Sequence, residues 1–226
     1  MKFLSIVGGT FLLVATGCKL DSDSDASVVP AAYVNLYQAS PDAPGLSIVL
    51  DQKVINSTKF DYTDNTGYLK FFAGTRRLQF GPFGASNVVA DTTMKFEDAK
   101  AYSVYVVNTF NKIDLLVLND DTNAPTAGKA KVRFLNLSPD APEVDLQIND
   151  TSVPVATGVS FKEPSSFTEI DANKYTFVVK TTTGDVLLTL PNALLLDGWS
   201  YTIIVRGFKT PPVGSESVLS AELIVD

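Results

Sequence analysis

The chain has no histidine, and its 226 residues include one cysteine, Cys18. Histidine is the usual general base near neutral pH and the commonest metal ligand. Its absence, with no internal thiol, excludes Ser–His and Cys–His catalysis and ordinary zinc sites. A lone cysteine also rules out an intrachain disulfide, so the folded part must stand on packing. Positive charge is scarce too: 18 Lys and Arg face 25 Asp and Glu, a formal net charge of −7. Without residues 1–17, which contain Lys2, the balance is 17 against 25, or −8. No basic block interrupts it, and an acidic surface repels phosphate backbones, so nucleic acid is not an expected partner. Nothing in these residues implies a cofactor.

Long apolar runs are equally scarce, with one exception at the start. Met1-Lys2 is a short positive opening, Phe3 to Val14 is mostly apolar, and Ala15-Thr16-Gly17 are small residues before Cys18. That order is the layout of a secretory signal peptide. About fifteen apolar residues at 1.5 Å rise reach roughly 22 Å, short of the ~30 Å hydrocarbon core, which disfavours a permanent transmembrane helix. Val14-Ala15-Thr16-Gly17-Cys18 resembles the lipobox of bacterial lipoproteins, with Ala15 where leucine is usual. The resemblance implies lipidation at Cys18 and anchoring to a membrane through the lipid. The polar, acidic run Lys19 to Ser27 cannot pack and reads as a solvated tether. It is also similar to the export signals that follow the lipid cysteine in surface lipoproteins of Bacteroidetes-type bacteria; a plain spacer is the other reading. The expected address is the cell envelope, lipid-anchored in the outer membrane and exposed at the surface.

The rest of the chain is a sequence written twice. Ser40-Pro41-Asp42-Ala43-Pro44 recurs as Ser138-Pro139-Asp140-Ala141-Pro142, and Asp98-Ala99-Lys100-Ala101-Tyr102 aligns with Asp197-Gly198-Trp199-Ser200-Tyr201. The offset is 98 or 99 residues, so the halves read as collinear copies. Each copy offers about eight short runs rich in Val, Ile, Thr, Tyr and Phe, punctuated by Pro, Gly, Asn and Asp. Tyr102, Val104 and Val106 alternate onto one strand face, as do Tyr201, Ile203 and Val205. The expectation is all-β: two tandem immunoglobulin-like β-sandwich domains. The segments are a signal peptide at 1–17, a tether at 18–30, repeats at 31–121 and 130–226, and a polar linker at 122–129.

An opening strand, Ser-Pro-Asp-Ala-Pro and Val144-Asp145-Leu146-Gln147-Ile148-Asn149-Asp150 together resemble the domain-of-unknown-function family 4397. The resemblance implies a fold and an exported setting but carries no catalytic residues. The motif has its own physical reading. Pro41 and Pro139 suit the second position of a turn, and Asp42 and Asp140 can close it by accepting nearby backbone amides. One carboxylate per copy is too few for a metal site or for acid catalysis, so none is assigned. Tyr102 and Tyr201 resemble a tyrosine corner, and Trp199, the sole tryptophan, reads as a packing residue, with a surface ring that stacks sugar as the other reading. Phe80-Gly81-Pro82-Phe83-Gly84 has no counterpart in the second copy and lies near Arg76 and Arg77. Arg76, Arg77 and Phe83 are the candidate binding loop for a glycan or protein ligand, against the plainer reading of a hairpin.

These features favour a non-catalytic envelope module with binding or structural roles. Two other classes stay open: a carboxylate-based enzyme such as a glycosidase, which needs two carboxylates facing each other across a cleft, and a periplasmic assembly factor, which needs an exposed edge strand. The lipoprotein reading predicts that Cys18→Ala leaves an unlipidated precursor. Metabolic labelling with a clickable fatty acid checks this, and equal incorporation into the variant would sink it.

Overall fold

The computed structural model of the chain describes residues 29–149, 151 and 154–226. The segment 1–17, Cys18 and most of the tether lie outside the described residues. The first repeat folds into β1 (Ala31–Gln38), β2 (Leu46–Leu50), β3 (Lys53–Val54), β4 (Asn65–Phe72), β5 (Gly74–Pro82), β6 (Ala90–Phe96), β7 (Ala101–Val107) and β8 (Asp114–Asn119). The second gives β9 (Lys129–Asn136), β10 (Val144–Ile148), β11 (Pro154–Val159), β12 (Thr168–Asp171), β13 (Lys174–Thr181), β14 (Val186–Leu194), β15 (Ser200–Arg206) and β16 (Ser220–Val225).

Each repeat makes two four-stranded sheets, and the strand order is the same in both copies. The sheets are β4-β1-β7-β8 and β3-β2-β5-β6 in the first repeat, β12-β9-β15-β16 and β11-β10-β13-β14 in the second. This is not the immunoglobulin order, in which the sheets read ABED and CFG. Here β1 lies between β4 and β7 and runs parallel to β7, as β9 does to β15. The Ser-Pro-Asp-Ala-Pro corner explains the departure. It carries the chain from one sheet to the other, so β1 cannot pair with β2 as a hairpin and finds partners later in the sequence. The connections differ in length, most of all before the last strand: six residues (108–113) join β7 to β8, but thirteen (207–219) join β15 to β16.

Each sandwich owns a core. Val34, Leu36, Ile48, Phe80, Phe96 and Val104 pack in the first, and Val132, Phe134, Leu146, Phe177, Ile203 and Val205 in the second. A third buried cluster belongs to both: Tyr37, Tyr105 and Val107 meet Leu135, Leu137, Ile204 and Ile224. The sheets containing β1 and β9 are therefore covered on both faces and stack on each other. That is why β7 (AYSVYVV) and β15 (SYTIIVR) are buried on the face turned away from their own cores as well, where Tyr105, Val107 and Ile204 stand beside the polar Ser103 and Thr202.

The repeated polar residues fasten the parallel strand pairs. Asp98 accepts the Ala31 amide at 2.8 Å and Asp197 accepts that of Gly128 at 2.7 Å, tying the chain where it enters β1 and β9. The Tyr102 hydroxyl accepts the Glu97 amide at 3.1 Å and that of Tyr201 the Leu196 amide at 3.0 Å, each five residues upstream. At the opposite strand ends, Asp42 accepts the Phe110 amide at 2.7 Å, while Asp140 takes Lys209 at 2.7 Å and Thr210 at 2.8 Å. The motif carboxylates thus reach across to a loop far along the chain instead of closing a local Asx turn.

A net 0.5–1.5 kcal/mol per bond sets the scale for a test. Asp140→Ala should cost about 2 kcal/mol and Asp42→Ala about 1, since one carboxylate holds two amides and the other one. Asp140→Asn keeps a single acceptor and should fall about midway. Urea melts of the three variants check the order; equal losses would mean the second amide contributes nothing.

Candidate functional site: a cleft between the inner sheets

The two inner sheets part near the starts of β1, β7 and β15, leaving a cleft of about 400 Å³. Tyr33 and Tyr68 line it from the first repeat, Trp199 and Asp226 from the second, and Thr122 and Asn123 from the connecting segment. That segment is held in place: Lys131 Nζ donates to Asp121 at 2.6 Å and to the Asn123 carbonyl at 2.9 Å, and Glu169 accepts the Thr126 amide at 3.0 Å.

The floor is an ionic cluster built by the repeat. Asp120 and Asp226 are equivalent positions, each following the last strand of its copy, with amides donated to Ala101 and Ser200 at 3.0 Å. Ser103 and Thr202 are likewise equivalent; Ser103 donates to Asp120 and Thr202 to Asp226, both at 2.8 Å. Facing the inner sheets together brings these like charges together, and Arg133 resolves the conflict. Its Nη2 lies 2.8 Å from Asp120 and 3.6 Å from Asp226, and the three side chains are 2–4% exposed. Tyr68 donates to Asp120 at 2.8 Å, and the Phe167 ring lies 4.8 Å from the guanidinium carbon.

One cation between two buried carboxylates leaves an excess negative charge. Burial pushes the Asp226 carboxyl up to about 6, against the pull of Arg133 and Thr202. Burial, then the neighbouring Asp120, also raises the Tyr68 hydroxyl. A second set of contacts closes the far side of the interface. Tyr37 donates to Glu222 at 2.6 Å, Arg206 pairs with Glu222 at 3.2 Å, and Ser217 donates to the Pro41 carbonyl at 2.6 Å.

Arg76, Arg77 and Phe83 are not brought together. Adjacent strand residues point to opposite faces, so Arg76 pairs with Asp51 at 3.1 Å while Arg77 makes a forked pair with Asp91. Phe83 lies beyond the far end of β5, roughly 20 Å along the strand at ~3.3 Å per residue. Phe80 is fully buried, and a Cβ on Gly81 would meet the Asn87 carbonyl at 2.1 Å. The loop's composition is that of a tight hairpin, although Phe83 keeps 38% of its surface exposed. Trp199, read from sequence as a packing residue, is 49% exposed and lines the cleft. The cleft itself was missed because its residues come from β1, β4, β15 and the linker, with no local motif to join them.

A family model described as "Domain of unknown function (DUF4397)" matches residues 32–147, just over half of the chain. The match runs from β1 through the first repeat into β10; no separate match falls on the second copy. No curated protein matches. Among solved structures, the chain is similar to CBMbc, a family-26 carbohydrate-binding module of Eubacterium rectale Amy13K crystallised with maltoheptaose. Identity is 12%, coverage is 81% of this chain and 100% of that one, and the TM-score is 0.26. It is also similar to a streptococcal virulence factor described by its alpha-glucan binding, at 13% identity, 69% and 83% coverage and a TM-score of 0.23.

The floor makes a pH prediction. An unfolded aspartate releases its proton near 3.9, whereas folded Asp226 holds it to about 6. Between those values the native state binds more protons, so this residue's contribution to stability falls as pH rises through the window. The loss is roughly 3 kcal/mol at about 1.4 kcal/mol per pH unit, and it persists above pH 6. Asp226→Asn should therefore melt higher than wild type at pH 7.5, with the gap closing towards pH 4. Calorimetric melts across that range check it; a variant that melts lower at pH 7.5 would show that the charge is a net stabiliser through Arg133.

Proposed function

The chain belongs to the DUF4397 family, and from that premise we propose that it is a non-catalytic binding protein of the bacterial envelope, tethered through lipid at Cys18. Its two sandwiches are held as one unit so that the cleft between them can take a ligand. The observation that carries this reading is Trp199, a half-exposed indole at the rim of the cleft where the first repeat has Lys100. An aromatic ring with a polar N–H, half in solvent at the edge of a cleft, suits a contact surface, where tryptophan and tyrosine are enriched. The lipid and the acidic tether would hold the module off the membrane with the cleft free.

Binding is favoured over glycoside hydrolysis. Asp120 and Asp226 do face each other, as that chemistry requires. Both are nearly fully buried, and both are committed to Arg133, with Tyr68 and Ser103 on one and Thr202 on the other. A general acid has to reach the leaving oxygen, and these oxygens face inward, onto protein donors.

The test is retention on isolated envelope fractions from the source bacterium, with the chain from Lys19 to Asp226 carrying a fluorescent label. Wild type should bind saturably, and Trp199→Lys should weaken binding at least tenfold at an unchanged melting temperature. Equal retention of the variant would move the site elsewhere, with the Phe83 hairpin next in line. No retention of either protein would leave a structural spacer.

A further inference from the structure

We infer that the cleft takes an uncharged oligosaccharide, with Trp199 as the stacking platform and Tyr33 as its counterpart on the other wall; this rests on reading the cleft as a binding site. The first support is the way the two repeats differ at matched positions. Lys100 and Trp199 do the same backbone work. Each follows a residue in the left-handed region, Ala99 at φ 57° and Gly198 at φ 82°. Each then offers its carbonyl to the neighbouring parallel strand, accepting from Tyr33 at 2.8 Å and Lys131 at 3.0 Å. The scaffold is therefore satisfied by lysine, and the indole answers to something outside it. Tyr33 and Lys131 are the second such pair. The first repeat has the aromatic there, 40% exposed and lining the cleft, while the second has a lysine engaged with Asp121. Both exchanges put the ring at the cleft and on opposite walls.

The second support is charge. The cleft holds three carboxylates, Asp120, Asp121 and Asp226, and two cations committed to them: Arg133, shared by the two on the floor, and Lys131 on Asp121. An anionic ligand would find both cations already committed. The floor carboxylates, buried and turned onto protein donors, leave a cationic ligand no free partner, so either would shed water at a cost in a half-closed site. An uncharged ligand avoids that cost. A pyranose has the matching surface: a C–H face for a ring to stack on and a rim of hydroxyls for polar groups such as Thr122, Asn123 and Ser200, which line the wall. The cleft volume of about 400 Å³ falls in the range of small-ligand sites.

Trp199 is the only tryptophan, so its emission reports on the cleft directly. The chain from Lys19 to Asp226 would be titrated with neutral glucan oligomers of α and β linkage, with oligogalacturonate as an anionic probe, and with chitosan oligomers and hexalysine as cationic ones. The expected result is a saturable change in emission with a neutral oligomer only. Calorimetry should then show at least tenfold weaker binding for Trp199→Lys, several-fold weaker for Tyr33→Ala and near-wild-type binding for Trp199→Phe, all with unchanged melting temperatures. If only a charged probe moves Trp199, the ligand class is wrong and the cleft stands as a binding site. If no probe moves it, the oligosaccharide inference fails, and retention on envelope fractions decides the fate of the cleft separately.

Discussion

Arg133 between Asp120 and Asp226 is the contact on which the arrangement of this molecule depends. The two repeats present the same sheet to each other, and an interface made from one surface used twice meets itself in charge as well as in shape. An aspartate after the last strand is harmless when it faces solvent. Two of them, each about 2% exposed and within reach of one guanidinium, would repel strongly without the cation. The second repeat supplies it at the position where the first has Asn35. A buried cluster of this kind is weak evidence for added stability, because desolvation offsets most of the attraction. What it adds is direction: Arg133 makes charge contacts with definite geometry to both carboxylates, where the apolar cluster of Tyr37, Tyr105, Leu135 and Ile204 supplies burial that has no direction of its own.

Much of the fold was legible because the strand signals are local. β-Branched and aromatic runs between Pro, Gly, Asn and Asp gave about eight short strands in each copy, and eight form in each; the repeated motif announced the two copies. The strand order was not legible, since it depends on which sheet each corner enters, and the parallel pairing of β1 with β7 joins residues about seventy apart. The stacking of the inner sheets did leave a trace. Alternation in β7 and β15 was read on one face, Tyr102, Val104 and Val106 or Tyr201, Ile203 and Val205. The other face is mixed: Tyr105 and Val107 stand with Ser103, and Ile204 with Thr202 and Arg206. Large apolar residues on a second face ask for cover, and they were the trace of a partner sheet.

The site was less legible than the fold for a related reason. Sequence reading looks for unusual residues near each other, and Arg76, Arg77 and Phe83 qualified on that count. Strand geometry then put the arginines on opposite faces and the phenylalanine beyond the far end of the strand. The aspartates of the repeated motif lie at a corner between the sheets, but the backbone amides they accept are 68 to 70 residues away. No local pattern marks such a distance. Trp199 was assigned to packing on the general behaviour of tryptophan, which is a statement about average environments. The alignment of the copies already held the better evidence, since lysine in the same place argues against a core.

An internal repeat therefore sorts its own residues. Positions alike in both copies, such as Asp98 and Asp197, Tyr102 and Tyr201, or Asp42 and Asp140, are those the sandwich needs in order to fold, and each makes the same kind of contact twice. Positions that differ are free of that demand. Where they cluster, a second demand acts on them. Asn35 and Arg133 differ because two aspartates meet at one place, a requirement internal to the molecule. Lys131 stands where the first repeat has Tyr33 because it ties the linker through Asp121 and the Asn123 carbonyl. Lys100 and Trp199 differ with no such internal cause, and Trp199 and Tyr33 line the same cleft. Because the ionic floor and the tied linker fix the walls, those rings are ordered before any ligand arrives. Little freedom is left to lose on binding, which is the condition under which a small contact surface becomes an effective one.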